Sequence, residues 1–119
     1  VVAPPARRRG LRAVGAVKEI GMAERRKTMR VIWKFPLPVE PIYRVSMPVG
    51  ATLLTVQIQD EQVVVWGMVD SEAPRVEREF YLVGTGHPVP SSKPTYLGTV
   101  QPWRGLVLHV FDGGEIKGE

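Results

Sequence analysis

The spacing of the turn-forming residues restricts the fold of this chain more than any other feature. From Arg30 to Phe111, short runs rich in Val, Ile, Leu and aromatic residues are interrupted about every 8–12 residues by Pro, Gly, Asp or Ser. No segment repeats its apolar residues with the period of an amphipathic helix. The pattern predicts an all-β fold, namely one small antiparallel β-sandwich or jelly-roll-like barrel of about seven strands with a basic N-terminal extension.

Residues 52–69 give the clearest strand pair. Three apolar residues of the first strand alternate with polar ones and are expected to point to the core: Leu54, Val56 and Ile58. Asp60-Glu61 then forms the turn of a tight hairpin. The returning strand, 62–69, is apolar on both faces, which predicts a central strand that is covered on both sides or meets a partner.

The remaining strands give predictions for the surface, for the core and for the limits of the domain. Glu77 and Glu79 alternate with Arg78, which favours a solvated face that protects a sheet edge. Trp33 and Trp66 lie within apolar runs and are expected to fill the core. The sandwich is predicted over residues 30–112, followed by a frayed tail over 113–119.

The first 29 residues differ from the rest in charge. They hold eight Lys/Arg and two Asp/Glu, a net charge of +6, whereas the remainder has eight basic and ten acidic residues. One interpretation is a disordered basic arm that binds nucleic acid through Arg7, Arg8, Arg9 and Arg12. The favoured one is untranslated upstream sequence, because codons for Lys18-Glu19 can form a ribosome-binding site before a start at Met22.

Six motifs in the body resemble those of an uncharacterised family of small proteins encoded in tailed phages, prophages and bacteria. They are Val31–Leu37, Met47–Ala51, Val56–Gln59, Trp66–Asp70, Gly84–Pro88 and Leu106–Phe111. The family has no established activity, so the resemblance implies no functional residue. It implies a setting: the cytoplasm of an infected bacterium, or the virion.

The loop that begins at Gly84 holds the most unusual backbone. Gly84 and Gly86 invite comparison with phosphate-binding loops, but Pro88 and the proline two residues later exclude the helix that such loops require. Gly84, Gly86 and Pro88 are therefore expected to form a stiff backbone corner. This corner would present Thr85 and His87 to a ligand or partner.

Metal and catalytic sites have little support in the sequence. Cysteine is absent, and the only histidines are His87 and His109, too few for a zinc site. His109 is expected to be partly buried with one nitrogen hydrogen-bonded. Neither the close acidic pairs nor the serines form a catalytic motif, so no enzyme, cofactor or metal is predicted.

A second contact point is expected in the last hairpin. Trp103 lies in a predicted turn beside Arg104, and an aromatic ring next to a guanidinium suits a contact hot spot. We therefore expect a non-enzymatic module that binds a host or phage protein, a small molecule or copies of itself. The alternatives are a minor virion protein, such as a capsid decoration or tail component, and a nucleic-acid-binding protein acting through the basic arm. No membrane partner is expected.

Overall fold

The computed structural model describes residues 29–116, and seven strands account for most of them. Within this part of the chain there is no helix, so none could cross a membrane. The strands are β1 (Arg30–Leu37), β2 (Ile42–Pro48), β3 (Thr52–Gln59), β4 (Gln62–Asp70), β5 (Arg75–Gly84), β6 (Thr95–Trp103) and β7 (Leu106–Glu115). The prediction of an all-β fold with about seven strands is confirmed.

The strands form two sheets whose paired strands are all antiparallel. Sheet A has the order β1-β4-β3 and sheet B the order β2-β5-β7-β6. β4 is the central strand of sheet A, as its apolar sequence predicts. β5 and β6 both pair antiparallel with β7 and so run parallel to each other, which requires residues 85–94 to return along the length of the sheet.

The hydrophobic core lies between the two sheets. Its largest fully buried side chains come from both sheets and include Phe35, Leu37, Met47 and Phe80. Trp33 packs against this core, partly buried, as expected. Trp66 does not pack against this core. Its neighbours Val65 and Gly67 face the core, so the Trp66 ring lies on the outer face of sheet A. The prediction for Trp66 was wrong.

A β-bulge also changes the predicted faces of β3. The register with β4 shifts between Leu53 and Thr55, so the chain gains one residue there. Leu53 packs against the core in place of Leu54, which is 46% exposed. Val56 and Ile58 face the core as predicted, and the hairpin turn forms at Asp60-Glu61 with positive φ at both residues, as in a type I′ turn.

One buried ion pair crosses between β5 and β7. The Arg78 guanidinium donates from Nε to Asp112 Oδ1 at 3.0 Å and from Nη2 to Oδ2 at 2.8 Å. Its Nη1 donates to the Ala51 carbonyl at 3.1 Å and lies 3.6 Å from Glu115 Oε2. Glu115 in turn accepts from the Gly50 amide at 2.6 Å. The cluster therefore joins the end of β7 to the turn that connects the two sheets.

The face that carries Glu77 and Glu79 does not protect a sheet edge as predicted, because β5 is an inner strand of sheet B. Arg78 points inward, with a side chain only 14% exposed, whereas Glu77 and Glu79 point outward to Arg44 on β2. The hydrogen bonds with Asp112 raise the pKa of Arg78, although burial lowers it. A raised pKa makes the stabilising contribution fully present below the unfolded-state pKa of an arginine. It is lost only as the pH rises through the still higher folded pKa, far above neutrality.

The C-terminal boundary also differs from the prediction. β7 continues beyond Asp112 to Glu115, and the Ile116 amide donates to the Glu77 carbonyl at 2.8 Å. Residues 113–115 are thus part of sheet B and not of a frayed tail, because the Glu115 carboxylate and the β5 pairing hold them. The predictions for Arg7, Arg8, Arg9, Arg12 and a start at Met22 fall outside the described residues.

Replacing Asp112 with Asn tests how strongly the ion pair stabilises the fold. Asn leaves the Arg78 cation buried without its bidentate partner, so we expect the free energy of unfolding to fall by about 3–5 kcal/mol, toward the lower value because Glu115 remains. Urea denaturation measures this change. Arg44→Ala breaks the exposed pairs with Glu77 and Glu79 and serves as the control, with an expected loss below about 1 kcal/mol. Equal losses in the two variants would contradict the assignment.

Candidate binding site

The loop after β5 turns sharply as the glycines predict. The His87 amide donates to the Gly84 carbonyl at 3.0 Å, which closes a four-residue turn, and Gly86 has a φ of +90° that favours glycine. A Cβ on Gly84 would lie 3.1 Å from His87 Nδ1, so the imidazole folds back over this residue. The loop is exposed from Thr85 to Pro90.

His87 lines an apolar cleft at one end of the sandwich. The cleft has a volume of about 270 Å³ and lies between this loop, the β1–β2 connection and the start of β7. The connection is held in place by Pro41, whose carbonyl accepts from the Leu82 amide at 3.0 Å. The lining residues are mostly apolar and include Val39, Pro41, Leu82, Pro88, Pro90 and Leu106, with Glu40 as the only acidic residue.

Thr85 belongs to a different feature from His87. Its hydroxyl lies 2.7 Å from His109 Nε2, and the other ring nitrogen, Nδ1, lies 2.9 Å from the Thr99 hydroxyl. The Thr99 oxygen is also 2.5 Å from the Tyr96 hydroxyl. Four side chains thus form one hydrogen-bonded chain, which we call the polar chain: Thr85, His109, Thr99 and Tyr96. Both nitrogens of His109 are hydrogen-bonded, not one as predicted.

The polar chain contains a hydroxyl beside a histidine but lacks the third member of a hydrolytic triad. In such a triad, a carboxylate orients the imidazole and stabilises its cation. Here the Nδ1 partner is the neutral hydroxyl of Thr99. Asp112 lies on the opposite face of β7 and is already bound to Arg78. The arrangement therefore does not match such a triad.

The polar chain runs across the outer face of sheet B and shares Tyr96 with a neighbouring row of mostly aromatic side chains, which we call the aromatic row. His109 is opposite Val83 on β5 and Thr99 on β6, and the neighbouring row is Ile42, Tyr81, Phe111 and Tyr96. Tyr81 is only 7% exposed, and its ring lies against Gly113, where a Cβ would be 2.7 Å from the ring. The glycine at 113 thus leaves room for this ring.

The second predicted contact point lies near the cleft but outside its lining. Trp103 was predicted to lie in the turn but is the last residue of β6. The turn itself consists of Arg104 and Gly105. Trp103 is 56% exposed and pairs with Leu106, which does line the cleft. Trp103 and Arg104 therefore occupy the same end of sheet B as His87.

The metal-ligating side chains of the described residues do not converge. Between residues 29 and 116, no group of three or more His, Cys, Asp or Glu side chains could hold a metal ion. His87 and His109 are used in separate places, one at the cleft and one in the polar chain.

The chain is thus an all-β sandwich with an open apolar cleft at one end and a polar chain on one outer face. It belongs to the family described as Domain of unknown function (DUF7352), which matches residues 29–118. No curated protein and no solved structure matches the chain. Membership of an uncharacterised family, as the six motifs imply, is confirmed.

Replacing Gly113 with Ala tests the packing of the aromatic row. The new Cβ would lie 2.7 Å from the Tyr81 ring, so the ring must move, and we expect a loss of about 1–3 kcal/mol in the free energy of unfolding. Gly67→Ala is the control, since its Cβ would meet its nearest neighbour, Leu53, at 3.4 Å. Urea denaturation of both variants measures the difference. Full stability of Gly113→Ala would show that the ring does not occupy this space.

Proposed function

We propose that this protein is a non-enzymatic accessory protein of a phage or prophage that binds a host protein through the end cleft. The observation that supports this most is the cleft itself, an open apolar depression of about 270 Å³. A depression of this kind accepts one or two apolar side chains of a partner, and burying them supplies the binding free energy.

The walls of the cleft favour a partner that needs little rearrangement. Pro41, Pro88 and Pro90 restrict the backbone on two sides, so little conformational entropy is lost on binding. His87 and Glu40 supply polar groups in an otherwise apolar lining and would orient the partner. Nearby Trp103 and Arg104, both exposed, extend the apolar contact and add a cation.

A non-enzymatic role is favoured by the way the polar residues are used. Arg78 and Asp112 bind each other in the interior, and His109 lies between two threonine hydroxyls. Each of these groups has partners that account for its position without a substrate. A role in the infected cell rests on the resemblance to phage and prophage proteins. One alternative is a minor virion protein. The other is a nucleic-acid-binding protein that acts through Arg7, Arg8, Arg9 and Arg12.

Replacing Val39 with Glu tests the cleft directly. Val39 is 43% exposed and lines the cleft, so the change introduces a carboxylate there without disturbing the core. An unpaired charge at an apolar contact should weaken partner binding by at least about tenfold. Affinity capture from infected cells, with the captured protein quantified by mass spectrometry, measures the loss.

Val49→Glu is the matched control, because Val49 is a valine of similar exposure, 38%, in the turn before β3. It should retain the partner, and both variants should keep the melting temperature of the unmodified protein. Equal capture by Val39→Glu and the unmodified chain would refute the cleft. Abundant recovery of the protein in purified particles would favour the virion alternative over an accessory role.

A further inference from the structure

The outer face of sheet B has a second surface with a chemistry different from that of the cleft. Two adjacent rows of this face contain no Lys, Arg, Asp or Glu: the row of Val83, His109 and Thr99, and the row of Ile42, Tyr81, Phe111 and Tyr96. The next pair along β2 and β5 is Arg44 and Glu79, which lie 3.7 Å apart and satisfy each other's charge. Val83 and Tyr81 are buried in these rows, at 6% and 7% exposure. The accessible part of the two rows is therefore uncharged and offers hydroxyl, imidazole and aromatic groups together with the aliphatic side chain of Ile42.

The polar chain can present either a donor or an acceptor at each end. A neutral imidazole has one N–H and one bare nitrogen. With the proton on Nδ1, His109 donates to Thr99 and Thr99 donates to Tyr96, so the Tyr96 O–H is left to donate to a ligand. At the other end, Thr85 donates to His109 Nε2 and its oxygen lone pairs are left to accept from a ligand. With the proton on Nε2, each hydrogen bond reverses, so Thr85 offers its O–H and Tyr96 its lone pairs.

This reversal suits a ligand whose own groups both donate and accept. A hydroxyl does both, whereas a phosphate or carboxylate only accepts and an ammonium only donates. The two ends of the polar chain would therefore match a ligand with several hydroxyls in either of two hydrogen-bonding directions. No charged group in the two rows would favour an ionic ligand.

The aromatic row supplies the apolar part of the contact. Tyr96 is 58% exposed, and its ring meets Phe111 edge-on, with centroids 5.7 Å apart and an interplanar angle of 62°. This contact fixes the Tyr96 ring and leaves much of it open to solvent. A sugar ring has C–H groups on its faces and hydroxyls around its edge, so it can cover an aromatic ring and reach the neighbouring hydroxyls.

We propose that this surface binds a neutral carbohydrate, with Tyr96 stacking on a sugar ring and the ends of the polar chain bonding its hydroxyls. Tyr96 combines both contacts, since its ring stacks and its hydroxyl ends the polar chain. Thr85 and Thr99 are exposed, so the hydroxyls of the polar chain can be reached from solvent. The carbohydrate site shares only the Val83 side chain with the cleft lining. Carbohydrate binding is therefore independent of whether the cleft binds a protein.

Titration of the full chain with maltotriose, cellotriose and chitotriose tests the proposal. We expect at least one of these neutral oligosaccharides to bind by calorimetry and to shift the NMR signals of Tyr96, Thr99 and His109. Tyr96→Ala should lower the affinity at least about tenfold, because the stacked ring is lost. Tyr96→Phe and Thr85→Val should each lower it by a smaller factor, because each removes one hydroxyl.

Trp103→Ala is the matched control, since Trp103 is an equally exposed aromatic residue on the same strand. It should leave carbohydrate binding unchanged. The proposal is overturned if none of the three oligosaccharides binds at millimolar concentration or if Tyr96→Ala binds as well as the unmodified chain. It is also overturned if sedimentation equilibrium shows that a second copy covers this face and that Tyr96→Ala dissociates the dimer.

Discussion

The buried pair of Arg78 and Asp112 links the paired strands β5 and β7 of sheet B to the turn that leads into sheet A. Strands β5 and β7 are the inner strands of sheet B, and the same guanidinium reaches Ala51 at the entry to sheet A. Burying a guanidinium costs free energy that only close, correctly oriented acceptors offset. Asp112 and the Ala51 carbonyl supply them, and Glu115 adds a nearby negative charge. The turn, the end of β7 and the start of β5 therefore have to be in place together.

The two ends of the sandwich consequently have different properties. At the end with the ion-pair cluster, the charged groups are paired with one another and hold the end of β7 against the turn before β3. At the opposite end, the connection before β2, the loop after β5 and the start of β7 leave an apolar cleft between them. The proposed binding site is thus an open apolar depression whose proline-containing walls need not be ordered by the partner.

Local pattern was sufficient to predict the strands, since alternation and turn residues depend on neighbours in sequence. It also predicted the corner at Gly84–Gly86 and the turn at Asp60-Glu61. It failed where one residue changes the register, as at Leu54, and where an acidic partner lies far along the chain, as Asp112 does for Arg78. The polar chain was missed for the same reason, because only the pairing of β7 with β6 brings Thr99 to His109. The sequence contains both residues but no signal of their register.

Photo-crosslinking in infected cells tests most directly whether the cleft end is the functional end. A photoreactive amino acid at Pro88, on the cleft, is compared with one at Glu72, an exposed residue of the β4–β5 loop at the other end. We expect a discrete adduct with one partner protein from position 88, lost on adding Val39→Glu, and none from position 72. Adducts from position 72 alone, or from neither position, would contradict this expectation.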